Sequence, residues 1–422
     1  MSPTLPPGPA ERRGLRLWNV GLVLALAFIA AVLVAAGVFY TTWDLLGARK
    51  LKSESTIDSK TLFDLVKLSF GVVAGAGALV ALVVAYRRQR IDEDGALRDA
   101  SRLHNERFTS AVTQLGDGSP AVRLGGVHAL VGLADDAPSR SLRQTCIDVL
   151  CAYLRLPYTA EADLPTGDIE ARHTYLALRE VRHTIIRLIR DHLRLPADHD
   201  HSWQGHDLDL TNVTFDGGDF TKAVFSGGTV SFQGARFVGG TVNFRGALFS
   251  GSTVNFMGAE FSGGTVKFRG AKFSGSTVNF VRAEFSGGTV DFSAATFSGG
   301  TVTFIRATFS GGTVNFNIAT FSGGTVDFRW AMFSGSAVDF SEATFSSGTV
   351  DFSEATFSSG TVDFSWGTLS SGAVDFSAAV FSGGTVDFSR ADGDAPSHLV
   401  PASGATQQPG LLLPANWLTS GA

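Results

Sequence analysis

The sequence predicts a membrane-anchored chain in three parts: a hairpin of two transmembrane helices, a small all-α segment, and an all-β solenoid. Three observations predict this fold class. Two uncharged apolar runs lie near the start of the 422-residue chain, helical spacing of apolar residues follows them, and phenylalanine then recurs with a 12-residue period. A fixed period of this kind is typical of repeat architectures, in which each unit packs against the next.

Composition and charge limit the partners of the chain. The net charge is −5 and the pI is about 6.0, so the chain as a whole lacks the basic footprint of a nucleic-acid-binding domain. Its two cysteines, Cys146 and Cys151, are five residues apart on a predicted helix and do not share a face. We therefore predict two reduced, buried thiols in a reducing compartment, with redox sensing as the alternative.

Each apolar run is long enough to cross a bilayer as a helix. Val20–Tyr40 has 21 residues and Leu68–Tyr86 has 19, all uncharged, and ~20 residues span the ~30 Å of hydrocarbon. The first run is longer than the apolar core of a cleaved signal peptide, and a second run follows it. We predict a cytoplasmic segment 1–17, transmembrane helix 18–43, short external loop 44–66 and transmembrane helix 67–86.

Arginine clusters predict the orientation of the hairpin. Arg12, Arg13 and Arg16 precede the first run, and a second cluster, Arg87, Arg88 and Arg90, follows the second run. Because basic residues are retained on the cytoplasmic side of a membrane, both ends are predicted to be cytoplasmic. The predicted localisation is the cell membrane, with two spans and the bulk of the chain in the cytoplasm.

Residues 87–196 are predicted to form a helical adaptor domain. Ser119 stands at a cap position before Pro120, and Pro157 ends a later amphipathic helix. The helix pairs resemble HEAT or armadillo units. Six arginines form either a basic face for anionic lipid or a partner, or a solvated helix face: Arg172, Arg179, Arg182, Arg187, Arg190 and Arg194.

Residues 197–207 are predicted to form a polar linker. His199, His201 and His206 alternate there with aspartates, and imidazole and carboxylate groups can ligate metals. Their spacing matches no metal-site signature, so we predict no metal site and no cofactor.

Residues 208–391 are predicted to form the β-solenoid, because phenylalanine follows two interleaved series. One runs from Phe225 to Phe381, broken only by Leu369, and the other runs from Phe232 to Phe388. Ala or Val mostly stands two positions before each aromatic residue, so these alternate side chains share the inner face of a short strand. Glycine in the recurring "SGGT" provides the corner. The predicted structural core contains Phe232, Phe244, Phe256, Phe268, Phe280, Phe292, Phe304, Phe316, Phe249, Phe261, Phe273 and Phe285.

The units "ATFSG" and "VDFSE" resemble those of the pentapeptide-repeat family, in which Leu or Phe follows Ala by two positions. The resemblance implies a right-handed, four-sided β-helix. Two residues are inserted at every second unit, so a four-sided turn would take 24 residues. A 12-residue turn is the alternative, and close packing of the rings favours the longer turn. "VRLGGVHAL" resembles a helical segment found before the repeats in membrane-associated actinobacterial members of the family.

The outer surface of the predicted solenoid changes charge along its length. Seven basic and three acidic residues lie between Phe225 and Phe309, whereas one basic and eight acidic residues lie between Asn315 and Phe388. Like charges stacked a rung apart repel, unless counterions or a basic partner offset them. The candidate interaction surface is the acidic row Asp327, Asp339, Asp351, Asp363, Asp375 and Asp387.

The sequence predicts a non-catalytic, membrane-anchored scaffold with an unknown protein partner. No Ser–His pair and no phosphate-binding loop is found in the repeats, so we predict no catalytic residues. Two alternatives stay open: a nucleic-acid mimic that inhibits or protects a type II topoisomerase, as the resemblance allows, and an uncharacterised enzyme or effector. Residues 392–422 are predicted to form a flexible tail, in which "GLLLPANWL" could cap the last rung.

Overall fold

The structure is a computed structural model that describes residues 58–370, 374–399 and 408–419, together with isolated positions between 28 and 44. The chain divides into two units, Met1–Ser101 and Arg102–Ala422. The second unit contains the small helical segment and the solenoid.

Helix α1, Ser59–Leu115, contains the second predicted transmembrane run and residues on both sides of it. Among the described residues, one stretch of helix, Ser59–Gln89, is long and apolar enough to cross a membrane by length and composition. Phe63, Val73 and Leu82 in this stretch are each more than 60% exposed. The first predicted run, Val20–Tyr40, lies mostly outside the described residues, so the two-helix hairpin stays a prediction.

Three further helices form the small all-α segment: α2 Pro120–Asp135, α3 Arg140–Arg155 and α4 Ile169–Leu193, with a 3-10 turn at Glu161–Asp163. Side chains cap α3 and α4, because Ser139 accepts a hydrogen bond from the backbone N–H of Leu142, and Asp168 from that of Ala171. The predicted cap Ser119 makes no such bond. The helices enclose a shared core of fully buried apolar residues: Leu130, Ile147, Leu150, Ile185 and Ile189.

The solenoid consists of two parallel sheets, each of which covers two of its four sides. The 13-stranded sheet contains Leu208–Asp209, Val224–Ser226, Thr229–Ser231, Leu248–Ser250, Thr253–Asn255, Lys272–Ser274, Ser276–Asn279, Thr296–Thr303, Thr320–Asp327, Thr344–Asp351, Thr368–Leu369, Val374–Asp375 and Asp392–Gly393. The 15-stranded sheet contains Thr214–Phe215, Gly218–Asp219, Arg236–Phe237, Thr241–Asn243, Glu260–Phe261, Thr265–Lys267, Glu284–Phe285, Thr289–Asp291, Thr308–Phe309, Thr313–Asn315, Met332–Asp339, Thr356–Asp363, Val380–Phe381, Thr385–Asp387 and Leu411–Leu412.

The pairing register shows 24 residues per turn, which confirms the longer of the two predicted turns. Thr265 pairs with Thr289 in the next turn, and Phe333 pairs with Phe357. The first turn is shorter, because Leu208 pairs with Val230. The coil makes about eight turns. The 12-residue turn is wrong, because residues 12 apart lie on different sheets.

Phenylalanine rings fill the coil as four columns, each stacked at the spacing of the strands. Phe304 lies between Phe280 and Phe328 in one column, with ring centroids 4.8 and 4.6 Å away and interplanar angles of 2° and 4°. It also meets Phe292 of the neighbouring column edge to face, at 6.3 Å and 85°. The twelve phenylalanines that the sequence places in the core are at most 1% exposed. Stacked and edge-to-face pairs add ~0.5–1.5 kcal/mol each to the burial of their area.

Glycine is required at Gly312, in the corner that precedes a valine strand, although serine occupies the same position of the repeat at Ser252, Ser276 and Ser336. Gly312 has a φ of +70°, and a β-carbon there would lie 2.5 Å from the carbonyl oxygen of Gly288 in the turn before. Other residues rarely adopt this φ, and none could fit its side chain so close to backbone. The two inserted residues of each 12-residue repeat therefore form a corner in which successive backbones nearly touch.

Both ends of the solenoid are covered. In the segment predicted as a flexible tail, the described residues 392–399 and 408–419 extend both sheets: Asp392–Gly393 pairs with Thr368–Leu369, and Leu411–Leu412 pairs with Val386 and Asp387. Trp417, on the short helix α5 (Ala415–Thr419), packs on Phe388 at 5.6 Å and donates a hydrogen bond to Gly393 O. The predicted role of "GLLLPANWL" as a cap on the last rung is confirmed.

Candidate interaction surface

The six aspartates of the predicted acidic row lie on the outside of the coil, but the structure divides them into two rows. Asp327, Asp351 and Asp375 stack on the 13-stranded sheet, and Asp339, Asp363 and Asp387 stack on the 15-stranded sheet. Each aspartate also has a structural task. The Oδ1 atom of Asp351 accepts a hydrogen bond from the backbone N–H of Ser353, at 2.8 Å. The backbone N–H two positions later donates the equivalent hydrogen bond to each of the other five candidates: Asp327, Asp339, Asp363, Asp375 and Asp387. Asn255, Asn279 and Asn315 make the same bond in earlier turns. These aspartates and asparagines therefore form Asx turns, in which the side chain accepts a hydrogen bond from a backbone N–H where each strand ends.

Burial of these carboxylates is uneven. Asp327 is 6% exposed and binds Arg329 at 2.7 Å, whereas the remaining five are half-buried. Arg329 also approaches Asp351 of the next turn, at 3.7 Å. One arginine thus offsets part of the repulsion between two stacked carboxylates, while a partner could still reach the others from solvent.

Replacing Asp351 tests the capping role. Asp351→Ala should lower the free energy of unfolding by about 1 kcal/mol, because the Ser353 N–H loses its acceptor. Asp351→Asn, which occurs naturally at the equivalent Asn279, should keep most of the stability. Thermal unfolding followed by circular dichroism measures both. Equal loss in the two variants would show that the charge, and not the cap, stabilises this turn.

Three of the six arginines of the predicted basic face, Arg182, Arg190 and Arg194, hold the helical segment onto the first turn of the solenoid. Arg182 is 4% exposed and donates hydrogen bonds to Leu154 O and Thr214 O, each at 2.7 Å. Arg190 forms an ion pair with Asp219, and Arg194 donates to Thr221 O. Arg172 lies 3.6 Å from Glu161. Arg179 and Arg187 line a cavity of about 580 Å³ beside Gly217 and Gly218.

A buried polar network joins α4 to the solenoid at Asp216. Tyr158 donates a hydrogen bond of 2.6 Å to this carboxylate, and His183 Nε2 lies 3.4 Å from it. Burial alone would raise the pKa of Asp216, but hydrogen bonds from His183, Tyr158 and Tyr175 outweigh it and lower the pKa to about 2. The guanidinium of Arg182 lies over the ring of Tyr158, at 4.1 Å. These contacts fix the helices to the coil as one unit.

The segment predicted as a polar linker is exposed over 197–201, whereas its second half, Ser202–His206, is packed between the helices and the coil. Trp203 is fully buried and stacks on His192 at 4.4 Å. His206 is 5% exposed, with Nδ1 2.9 Å from Gln144 Oε1. Within the described ranges, no group of three or more His, Cys, Asp or Glu residues is arranged to hold a metal ion.

His206 makes stability depend on pH. Burial, together with Arg140 and Arg143, lowers the pKa of His206 to about 4, so the unfolded chain binds a proton here between about pH 6.5 and 4 and the folded chain does not. Stability therefore falls as the pH drops through that window, by about 2 kcal/mol between pH 7 and pH 5.

His206→Asn isolates this effect, because the asparagine amide can still donate to Gln144. Denaturant unfolding of both proteins at pH 7 and pH 5 should show a smaller loss for the variant. His104, whose pKa burial also lowers, contributes equally to both proteins. Identical pH dependence of the two would exclude His206 as its source.

The structure contains one Ser–His contact that the sequence did not predict. Ser377 Oγ is 2.7 Å from His398 Nδ1, and Asp375 Oδ1 is 3.1 Å from the same nitrogen. A catalytic histidine uses one nitrogen for the nucleophile and the other for the carboxylate, so this arrangement is not a triad. His398 is also largely exposed, at 68% for its side chain.

The two cysteines do not form a reactive site. Both are buried and unpaired on α3. Burial raises the pKa of Cys146 to about 11 and that of Cys151 to about 12, so thiolate is scarce at neutral pH. The prediction of buried thiols is confirmed, and the redox-sensing alternative lacks a low-pKa thiol.

Two corners of the coil project as ridges. We define them by the residues two positions after each phenylalanine of the series that runs to Phe388, which begins here at Phe220. The first ridge contains Lys222, Gly246, Gly270, Ala294, Ile318, Glu342, Trp366 and Arg390. The second ridge contains Gly234, Gly258, Arg282, Arg306, Trp330, Glu354 and Ala378. Backbone hydrogen bonds link successive rungs along each ridge, as from Ala294 N–H to Asn317 O and from Arg306 N–H to Arg329 O.

Residues 210–254 match a family model described as pentapeptide repeats (9 copies). The match begins where Leu210, Phe215, Phe220 and Phe225 lie five residues apart. Together with the solenoid, it supports the pentapeptide-repeat family for this part of the chain. No curated protein and no solved structure matches the chain.

Proposed function

We propose that the chain is a membrane-anchored scaffold whose solenoid presents its outer surface to a protein partner. Pentapeptide-repeat solenoids suggest an interaction module. One observation carries the proposal: the stacked core holds the outward side chains at a fixed spacing of one rung, about 4.8 Å. Surface groups in such an array keep their relative positions, which favours docking of an extended partner.

Polar groups in the described part of the chain support a non-catalytic role. The aspartates cap turns, the cysteines are buried, and the Ser377–His398 contact lacks the geometry of a nucleophile and its base. The serines and aspartates beside the strands recur at the same place in successive repeats, which does not favour a pair of carboxylates held in contrasting environments.

Photocrosslinking in intact membranes tests the interaction role. A photoreactive residue at Thr320 or at Thr356, which lie on different sheets, should give adducts of discrete mass that depend on the position of the probe. Absence of adducts at positions around the whole coil would contradict a scaffold.

Membrane anchoring is supported by Ser59–Gln89, whose apolar window is not buried within the structure. The full-length chain should stay in the membrane pellet after alkaline carbonate extraction. Recovery in the supernatant would reject the anchor. Protease digestion of sealed vesicles then tests the cytoplasmic location of the solenoid, because cleavage from the outer side alone would reverse it.

A further inference from the structure

The first ridge carries charges of opposite sign in its early and late turns, between its end residues Lys222 and Arg390, which are both basic. Arg245, Lys267 and Arg269 lie on or beside it in the early turns, and Asp339, Glu342 and Asp363 lie there in the late turns. Among the described residues, none of these six side chains forms an ion pair. Their charges are therefore available to a partner.

The second ridge and the strands beside it differ, because many of their charges are satisfied within the coil. Arg236 binds Glu260 at 3.1 Å. The indole of Trp330 donates to Glu354 at 2.7 Å, and the guanidinium of Arg306 lies 5.6 Å from the Trp330 ring. Stacking of opposite groups is thus possible in this fold. On the first ridge the guanidinium of Arg390 lies 5.2 Å from the Trp366 ring, whereas the six charged residues above have no such contact with any described residue.

Apolar side chains stand exposed on the first ridge in an unfavourable backbone conformation. Ile318 is 44% exposed with a φ of +52°, and Trp366 is 59% exposed with a φ of +59°. Earlier turns have Gly246 and Gly270 at the same place. Residues of both ridges repeat this φ, but a β-branched residue such as Ile318 at such a φ is an outlier.

We propose that the first ridge binds the first ridge of a second copy of this chain, with the two coils antiparallel. A two-fold axis between the turns of Ala294 and Ile318 sets these two residues against each other. The same axis places Arg269 opposite Glu342 and Lys267 opposite Asp339, and it brings Arg245 to Trp366 and Asp363. Each contact occurs twice, as an isologous interface requires.

Equal turn length makes the match possible from Arg245 to Trp366, whereas beyond these turns the axis sets the like charges Lys222 and Arg390 against each other. Arg245 and Trp366 are five turns apart, about 24 Å at ~4.8 Å per turn, and every turn between them has 24 residues. The contact strip is narrow, so it buries less than the roughly 1,200 Å² of stable complexes. We expect a reversible dimer that salt weakens.

The inference refines the interaction role proposed above by naming the partner. Sedimentation equilibrium of the full-length protein in uncharged detergent, at about 50 mM and about 500 mM salt, measures the dimer. Glu342→Lys and Arg269→Glu should each weaken association about tenfold or more at low salt. The double variant Arg269→Glu/Glu342→Lys should restore it, because the paired charges are exchanged. Lys222 already occupies the equivalent backbone conformation, with a φ of +57°, so Glu342→Lys should fold.

Glu284→Lys is the matched control, since Glu284 is exposed two residues after Arg282 of the second ridge, and it should leave the dimer unchanged. A monomer at low salt overturns the proposal. A dimer that both single variants leave intact also overturns the proposal, because that dimer forms elsewhere. Failure of the double variant to restore association overturns it as well. If crosslinking from Thr320 instead yields a different protein at this ridge, the second copy is rejected while the interaction role stands.

Discussion

Phe304→Ala should lower the free energy of unfolding by about 3–5 kcal/mol, the range observed for aromatic residues removed from protein cores. The ring is fully buried and lies between Phe280 and Phe328, with Phe292 against its edge. Its loss removes contacts to rings in three turns, and the rigid backbone ladders cannot close the cavity.

Thermal and denaturant unfolding of Phe304→Ala measure the loss. Trp366→Ala, which removes a larger ring from an exposed position, is the matched control and should change stability by less than about 1 kcal/mol. A comparable loss in both variants would mean that burial within the coil is not what stabilises it. Because repeats can unfold in parts, the transition should also broaden when the stack is interrupted near its middle.

Gly126→Ala should destabilise the helical segment by about 3 kcal/mol or more. A β-carbon at this position would lie 2.5 Å from the backbone nitrogen of Leu115 and 2.9 Å from Ala111 O. Both are main-chain atoms of α1, so α2 must move away, and the shared core of the helices opens. Overpacking typically costs ~1–3 kcal/mol, and more where backbone must shift.

Gly125→Ala provides the control one residue away. Its β-carbon would meet only the side-chain oxygen of Gln114, at an ordinary 3.7 Å, and alanine favours a helix over glycine by up to ~1 kcal/mol. Circular dichroism should therefore show opposite shifts in the unfolding midpoint of the two variants. Shifts of the same sign in the unfolding midpoints of both variants would show that α1 and α2 do not approach closely at Gly126.

Much of the coil could be predicted from spacing alone. Phe232 and Phe256 occupy the same place in successive turns because a strict period leaves one inner face for the rings, and the volume of those rings selects 24 residues per turn. The Asx turns were also within reach, since Asp, Asn, Ser and Thr recur at one position, a preference that hydrogen bonding to the backbone explains.

Contacts between distant segments could not be predicted from local patterns. Arg182 looks like one more surface arginine in the sequence, yet it is buried between Leu154 and Thr214. Trp203 lies in a stretch of polar residues and still fills the junction. Neither position has a periodic signal, because each is defined by one unique contact between the helices and the first turn.

The 24-residue turn also constrains how the gene can vary in length. Insertion or loss of 24 codons would keep every later residue above its former neighbours and leave each ridge continuous. A change of 12 codons before Glu342 would keep phenylalanine at the inward-facing positions. Glu342 and all residues after it, however, would move to the opposite corner of the coil. Recombination between near-identical units can therefore lengthen the rod in half-turns, but only whole turns keep the order of charges along each ridge.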